Sequence, residues 1–311
     1  MRVLVTGVDS FIGSHLAEAL VRAGDEVFGL SHRRTDSADG ITRQAVDVVD
    51  ATAVAALVAQ TKPERVFHLA AQSKIVRSFE DPMLTLSTNV VGSAGLFEAL
   101  RVHAPRATVV SVGSSSEYGD AAKQIEFLRE DSPLLPTSPY AVSKVAQGKL
   151  ATVYARAYGM PVMHIRVFAI LGPRKEGDAL SDFCRNVVAI ERGDASELVV
   201  GTTSTVRDFT DVRDCVEGLR IAADRGEPGA TYNLCSGTAH DFDDVIAELK
   251  RATKAAFVVR RDPARVRPVD DARIVGNPEK LNALGYQPRI SLADTIATTL
   301  EYWRSRAQSG K

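Results

Sequence analysis

The strongest constraint on this chain is a rhythm. Short β-branched runs at residues 3–6, 27–30, 65–70, 108–112 and 162–168 alternate with longer stretches at 12–23, 51–60, 89–102 and 139–158. Each longer stretch carries apolar residues three and four positions apart, the spacing of one buried helix face. Neighbouring parallel strands need a crossover between them, so strand then helix, repeated, predicts a parallel sheet with helices on both faces. The expected class is α/β, a doubly wound parallel sheet of the Rossmann kind. After Gly172-Pro173 the rhythm breaks. A helix near 180–192 and a strand near 198–201 follow, then Asp208-Phe209-Thr210-Asp211 before another helix. The expected division is a dinucleotide-binding domain over 1–172, with a return segment near 203–235, and a smaller, mixed α/β, mainly substrate-binding domain over 173–311.

At 311 residues the chain is long enough for a large core with a smaller part packed on it. Hydrophobic residues at 45% and charged residues at 25% are globular proportions and argue against disorder. Lys and Arg (38) balance Asp and Glu (39), so there is no cationic surplus for a nucleic acid or an anionic membrane. The three cysteines, Cys184, Cys215 and Cys235, fit neither a disulfide framework nor zinc-ligand spacing and are expected as small core residues, with no metal site. No apolar run reaches membrane-spanning length, and the first strand begins too early for a signal peptide to precede it. The expectation is a cytoplasmic protein.

The opening Thr6-Gly7-Val8-Asp9-Ser10-Phe11-Ile12-Gly13 leaves a strand and enters a helix, the context of a glycine-rich dinucleotide turn. Gly7 suits the turn, Gly13 lets helix and strand pack closely, and the helix start at Ser10, Phe11 and Ile12 offers N–H groups to a pyrophosphate. Ser10 stands where a second glycine is usual, which tightens backbone approach there. The second strand ends Ser31-His32-Arg33-Arg34, where a carboxylate for a ribose hydroxyl would mark NAD. Ser31, Arg33 and Arg34 instead suit a 2′-phosphate, which favours NADP(H) over NAD(H). Asp47, with Val48 beside it past the third strand, is placed to meet the adenine.

Tyr140 and Lys144 lie four residues apart in a helix that starts at Pro139, so both occupy one face. A tyrosine ordinarily titrates near about 10, and a neighbouring ammonium favours its phenolate, which lets the pair move a proton near neutral pH. Lys144 can also reach the nicotinamide ribose. Ser114, in Val112-Gly113-Ser114-Ser115-Ser116-Glu117-Tyr118-Gly119, follows a strand and so falls at the sheet's carboxyl edge, where its hydroxyl can hold a substrate oxygen beside Tyr140.

These motifs together resemble the extended short-chain dehydrogenase/reductase family, which includes the NAD-dependent epimerase/dehydratase enzymes, along essentially the whole chain. The resemblance implies that Ser114, Tyr140 and Lys144 form the catalytic triad. It also makes His68-Leu69-Ala70-Ala71-Gln72-Ser73 a cofactor segment, in which Leu69, Ala70, Ala71 and Ser73 take part, and Asn89 part of the helix behind the site. Ser73, Ser115 and Ser116 fall at substrate-facing positions. Within the family, Arg207-Asp208-Phe209-Thr210-Asp211-Val212-Arg213-Asp214, Tyr232-Asn233-Leu234-Cys235-Ser236-Gly237 and Arg267-Pro268 look closest to GDP-4-keto-6-deoxymannose reductases and GDP-mannose 4,6-dehydratases. The implied partner is a nucleoside-diphosphate sugar, GDP favoured, with Arg207 and Arg267 on its diphosphate.

Family dehydratases carry an acid two places after the catalytic hydroxyl, where this chain has Ser116, and on an alternating strand-like segment Glu117 would point away. The expected reaction is therefore hydride transfer from NADPH to C4 of a 4-keto-6-deoxyhexose, with 4-epimerisation or 4,6-dehydration as alternatives. Ala169 replaces the amide that usually precedes Gly-Pro in such enzymes, which leaves the sugar open. An NADP(H)-sensing protein without catalysis and a reductase of non-nucleotide ketones are readings from other classes. The resemblance further implies a homodimer through the helices at 89–102 and 139–158, with a tetramer as the alternative.

Overall fold

The computed structural model describes residues 1–265 and 272–308. Its large sheet begins with β1 (Arg2–Thr6), β2 (Glu26–Ser31), β3 (Asp36–Ala38), β4 (Ile41–Ala45) and β5 (Arg65–His68). It continues with β6 (Thr108–Ser114) and β7 (Val162–Val167), and closes with a later strand, Thr231–Leu234. Outward from β1 the neighbours are β2, β4 and β3 on one side and β5, β6, β7 and that last strand on the other. All pairs are parallel except β3 with β4. The winding reverses between β1 and β5, which opens a crevice at their carboxyl ends, where doubly wound sheets take ligands.

Helices cover both faces, which is why the inner strands are apolar without alternation. On one face α1 (Phe11–Arg22) packs Leu16 and Leu20 against Val3, Val5 and Val27. On the other, α2 (Ala51–Thr61) packs with two helices further along the chain. The helix expected at 89–102 starts earlier and is not uniform. After α3 (Ile75–Glu80), α4 (Pro82–Leu86) runs through a π-helical turn, Ser87–Val91, into α5 (Gly92–His103). The wider turn contains Asn89. Next comes α6 (Pro139–Tyr158), at the expected bounds, capped by the Ser138 side chain on the Ala141 N–H.

From Ala169 on a second, smaller part forms. Its strands are β8 (Ala169–Leu171), β9 (Glu197–Val200), β10 (Val206–Asp211), β12 (Ala239–His240), β13 (Val258–Arg261) and β14 (Arg273–Ile274), the Thr231–Leu234 strand of the large sheet being β11. β10 pairs with β8, β12 and β14, while β9 pairs with β13. Around them α7 (Ala179–Glu191), α9 (Phe242–Ala252) and α11 (Leu292–Gln308) enclose Phe183, Leu249, Leu300 and Trp303. Two helices lie outside this core. α8 (Val212–Arg225) packs on the large sheet, and α10 (Glu279–Asn282) brings Leu281 to the same core.

The chain meets the large core again at Val212. Phe209 belongs to the small core and Val212 to the large one. Asp211 marks the crossing, accepting the Arg213 N–H at 2.8 Å as the α8 cap and the Thr295 hydroxyl at 2.8 Å. The two parts are also strapped together at Pro173, whose carbonyl meets His15 Nε2 at 2.9 Å, and by the Arg174 to Glu18 ion pair.

One buried polar chain ties β1, β5 and α5. The Thr6 hydroxyl accepts the Leu69 and Ala70 N–H groups and meets His68 Nδ1 at 2.8 Å. His68 Nε2 lies 2.9 Å from Ser93 Oγ, which donates to the Asn89 carbonyl. These roles close only with a neutral imidazole, protonated on Nε2. Burial first, then the positive Lys144, push the His68 pKa from 6.5 down to about 3. The unfolded chain thus binds the proton that the folded chain refuses, so stability from this site is complete above pH 6.5 and is lost as pH falls towards 3. Denaturant unfolding between those limits should show stability falling with acid, and His68→Gln should flatten that slope. An unchanged slope would remove His68 as its source.

Candidate active site

At the carboxyl end of β1, Gly7 has φ +67°, and a Cβ there would lie 2.9 Å from the Ala70 nitrogen. A Cβ on Gly13 would lie 2.2 Å from the Gly7 carbonyl oxygen, so both positions demand glycine. Ser10 does not: its φ is −71°, and its hydroxyl caps α1 by accepting the Gly13 N–H at 3.2 Å. Serine in place of the second glycine therefore brings no backbone strain. The Phe11 and Ile12 N–H groups, in the first turn of α1, have no carbonyl partner within the helix and face an anion-ready end. Backbone cradle, helix end and the Leu69-Ala70-Ala71 edge fit a dinucleotide.

The far end of that crevice differs from expectation. Ser31 is buried; its hydroxyl donates to Asp9 at 2.5 Å and accepts the Arg33 and Arg34 N–H groups. It shapes the turn and does not face out towards a phosphate. Arg34 is paired with Asp36 at 2.7 Å and reaches Asp9 at 3.7 Å. Two residues to which the sequence assigns no role complete the cluster: Asp9, inside the glycine-rich turn, and Arg43 on β4, buried and paired with both Asp9 and Asp36. Arg33 remains exposed. Asp47 is exposed and turns its carboxylate to the Val49 N–H, while Val48 is buried against Gly92 of α5.

Asn89 is a clamp. Its amide accepts the Gln72 N–H at 2.8 Å and donates to the Gln72 carbonyl and the Ser143 hydroxyl, joining the 69–73 segment to α6. Both Nδ2 donors and one lone pair of Oδ1 are engaged in the protein, so the amide braces the site from behind. Ser73, by contrast, is exposed at the rim.

Ser114, Tyr140 and Lys144 come together at the end of β6, all three buried. Lys144 Nζ donates to the Val112 carbonyl at 2.9 Å and to Gln147 Oε1 at 2.8 Å. Gln147 lies one turn further along α6 and is itself fixed on Ser111. Burial brings the Lys144 pKa down to about 8 and pushes Tyr140 up to about 12, the latter partly countered by the hydrogen bond between the Tyr140 and Ser114 side chains. The expected lowering of Tyr140 by Lys144 is thus not what governs the phenol here. Burial dominates and holds Tyr140 as a protonated acid at neutral pH.

Glu117 does point away from the site, but the cause is a 3-10 turn, Ser115–Glu117, and not strand alternation. The Ser114 hydroxyl accepts the Ser116 N–H, and the fully buried Glu117 carboxylate accepts the Ser114 N–H at 3.0 Å. His164 Nε2 at 2.8 Å and Arg166 Nε at 2.9 Å complete its partners. Burial raises its pKa, yet those two groups hold it below the ordinary carboxylate value. Ser115 and Ser116 are half-buried beside Ser114.

A cleft of about 300 Å³ opens in the smaller part, lined among others by Ala169, Lys175, Asp182, Arg207, Phe209 and Arg265. Asp208, the nearest carboxylate in sequence to Arg207, is buried and accepts N–H groups of Ser236, Gly237 and Gly276. It is a fold clamp, not an ion-pair partner of Arg207. Arg267 lies outside the described residues. Among the described residues no cluster of three metal-ligating side chains occurs, and no helix is long and apolar enough to cross a membrane.

A family model described as GDP-mannose 4,6 dehydratase matches residues 4–299. GDP-6-deoxy-D-mannose reductase from Pseudomonas aeruginosa is 29% identical over 99% of this chain and 98% of its own length. The structure of RMD from Pseudomonas aeruginosa complexed with NADPH superposes with a TM-score of 0.85 at 27% identity, covering 98% of this chain and 100% of that one. A Thermus thermophilus UDP-glucose 4-epimerase in complex with NAD superposes with a TM-score of 0.86 at 31% identity, covering 98% and 99%.

Proposed function

The chain belongs to the GDP-mannose 4,6-dehydratase family of extended short-chain dehydrogenases/reductases, and on that premise we propose that it reduces C4 of a 4-keto-6-deoxyhexose carried by a nucleoside diphosphate. GDP-4-keto-6-deoxymannose is the proposed substrate and NADP(H) the proposed cofactor. The observation that carries the choice of reaction is the state of the groups around Ser114. Tyr140 is a buried, protonated phenol, and Ser116 and the sequestered Glu117 leave the position of a dehydratase acid without a carboxyl.

When bound, a reduced nicotinamide dinucleotide would supply the hydride. Ser114 holds the keto oxygen, and Tyr140 gives its proton to that oxygen as negative charge develops on it, so that C=O becomes CH–OH. Lys144, tethered to Val112 and Gln147, carries its positive charge below about pH 8 and stabilises the phenolate left behind. Arg207 is the proposed diphosphate ligand in the cleft, together with Arg267. Arg33, Arg34 and Arg43 gather guanidinium groups where a 2′-phosphate would sit, and such a phosphate would compete with Asp36 for Arg34.

One observation favours a second reading. The Asp9 carboxylate beside Ser31 is an acceptor suited to ribose hydroxyls, which supports an NAD-using 4-epimerase.

Consumption of NADPH on mixing with GDP-4-keto-6-deoxymannose, with formation of a deoxyhexose, is the expected outcome. Tyr140→Phe should lower the rate by roughly 10² to 10⁴ while dinucleotide binding persists. No consumption of NADPH, together with interconversion of UDP-hexoses in the presence of NAD, would replace the reductase by the epimerase.

We also propose a homodimer. Val76, Phe79, Met83, Val91, Val142 and Val153 are exposed along α3 to α6, and an apolar surface of this extent calls for a cover. Sedimentation velocity should give two copies, and Val91→Asp with Val142→Asp should give one. A wild-type monomer would exclude this face as an interface.

A further inference from the structure

We propose that Asp182 selects the base of the nucleotide, by pairing with the edge of guanine that carries N1–H and the N2 amine. The inference rests on the nucleotide-sugar reading above and names the residue that would make GDP the preferred carrier.

Asp182 stands in the first turn of α7, exposed, at the wall of the cleft that Arg207 and Arg265 also line. Two carboxylates begin this helix, and they are placed differently. Asp178 caps it by accepting the Ser181 N–H at 2.9 Å and pairs with Lys175 at 2.7 Å. The Asp182 carboxylate has no hydrogen bond or ion pair among the described residues, and so meets the cleft as an open acceptor with two oxygens. One turn on, at a spacing that puts it on the same helix face, Asn186 lines the adjoining stretch of the cleft with Asp182 and Arg265. Its Oδ1 is buried without a partner among the described residues. Arg265 is anchored by Nη1 to the Val199 carbonyl at 3.0 Å and borders both stretches. An anionic acceptor and a carboxamide on α7 thus share this part of the cleft with the guanidinium of Arg265.

That set of groups matches one base. Guanine presents two adjacent donors, N1–H and the N2 amine, followed by the acceptor O6. A carboxylate takes both donors in parallel, a charge-assisted pair, while Arg265 or the Asn186 amide serves O6. Uracil and thymine present a single N3–H flanked by two carbonyl oxygens, so a carboxylate there gains one bond and faces two acceptors. Adenine offers an acceptor ring nitrogen beside one amine, and half of the carboxylate is opposed. Loss of a bidentate pair is worth roughly tenfold to a hundredfold in affinity.

Isothermal titration of the full-length protein with GDP, inosine diphosphate, UDP and dTDP tests this. GDP should bind roughly tenfold to a hundredfold more tightly than UDP or dTDP, and inosine diphosphate, which lacks only the N2 amine, should fall between. Asp182→Asn should bring GDP to the level of inosine diphosphate or below and leave UDP unchanged. Equal binding of GDP and inosine diphosphate by the unaltered protein would overturn the assignment without any variant, and so would a full GDP preference in Asp182→Asn. Equal binding of all four nucleotides would overturn it while leaving the nucleotide-sugar reading in place; binding of none would remove both.

Discussion

A single buried carboxylate organises the reactive edge of the large sheet. Glu117 has no exposed surface and still carries its charge, because the Ser114 N–H, His164 and Arg166 surround it. Leaving such a charge without one of its partners costs about 3–5 kcal/mol, so the geometry around it is held firmly. Arg166 passes the constraint outward to the Tyr118 hydroxyl and the Glu130 carbonyl, and Tyr118 donates to Asn233 on β11. The turn bearing Ser114 is thereby tied to two neighbouring strands. Gly113 is part of the same fit: a Cβ there would lie 2.3 Å from both Glu117 Oε1 and His164 Nε2.

The opposite side of the site is held from the helices. Asn89, in the π-helical turn, joins the 69–73 segment to Ser143 on α6, one residue before Lys144. Lys144 is then drawn to Val112 and Gln147. Ser114 and Tyr140 are thus presented by β6 and α6, two elements braced on each other through Lys144 and Gln147 and on their surroundings through Glu117 and Asn89. Such support keeps reacting groups in position without help from the substrate, which is how orientation lowers a barrier.

Much of this was legible because it is local. The alternation of β-branched runs and helical stretches predicts the parallel sheet, and four-residue spacing puts Tyr140 and Lys144 on one face of α6, whose bounds agree with the sequence pattern. Gly7 and Gly13 are likewise fixed by the strand-to-helix context. What escaped depends on partners far away in sequence. Arg43 meets Asp9 across 34 positions, and this turns the arginine-rich end of β2 from an open cationic site into a mixed one. Ser31 and Asn89 look like ligand-facing polar residues until their hydrogen bonds are traced to the protein itself. Glu117 turns from the site through a 3-10 turn that the strand-like pattern of its neighbours does not announce, since Ser114 caps that turn and breaks the alternation. Asp211 carries no local sign that the two cores divide there; its role appears only when Phe209 and Val212 are seen on different sides.

Transfer of hydride to sugar C4 is the central claim, and isotope labelling reads it directly. The protein would be given NADPH deuterated at the transferring position of the nicotinamide, with GDP-4-keto-6-deoxymannose, and the sugar product examined by NMR. Deuterium at C4 of a deoxyhexose, one atom for each NADPH oxidised, is the predicted result. Recovery of the keto sugar without label, with the deuterated cofactor unconsumed, would contradict it.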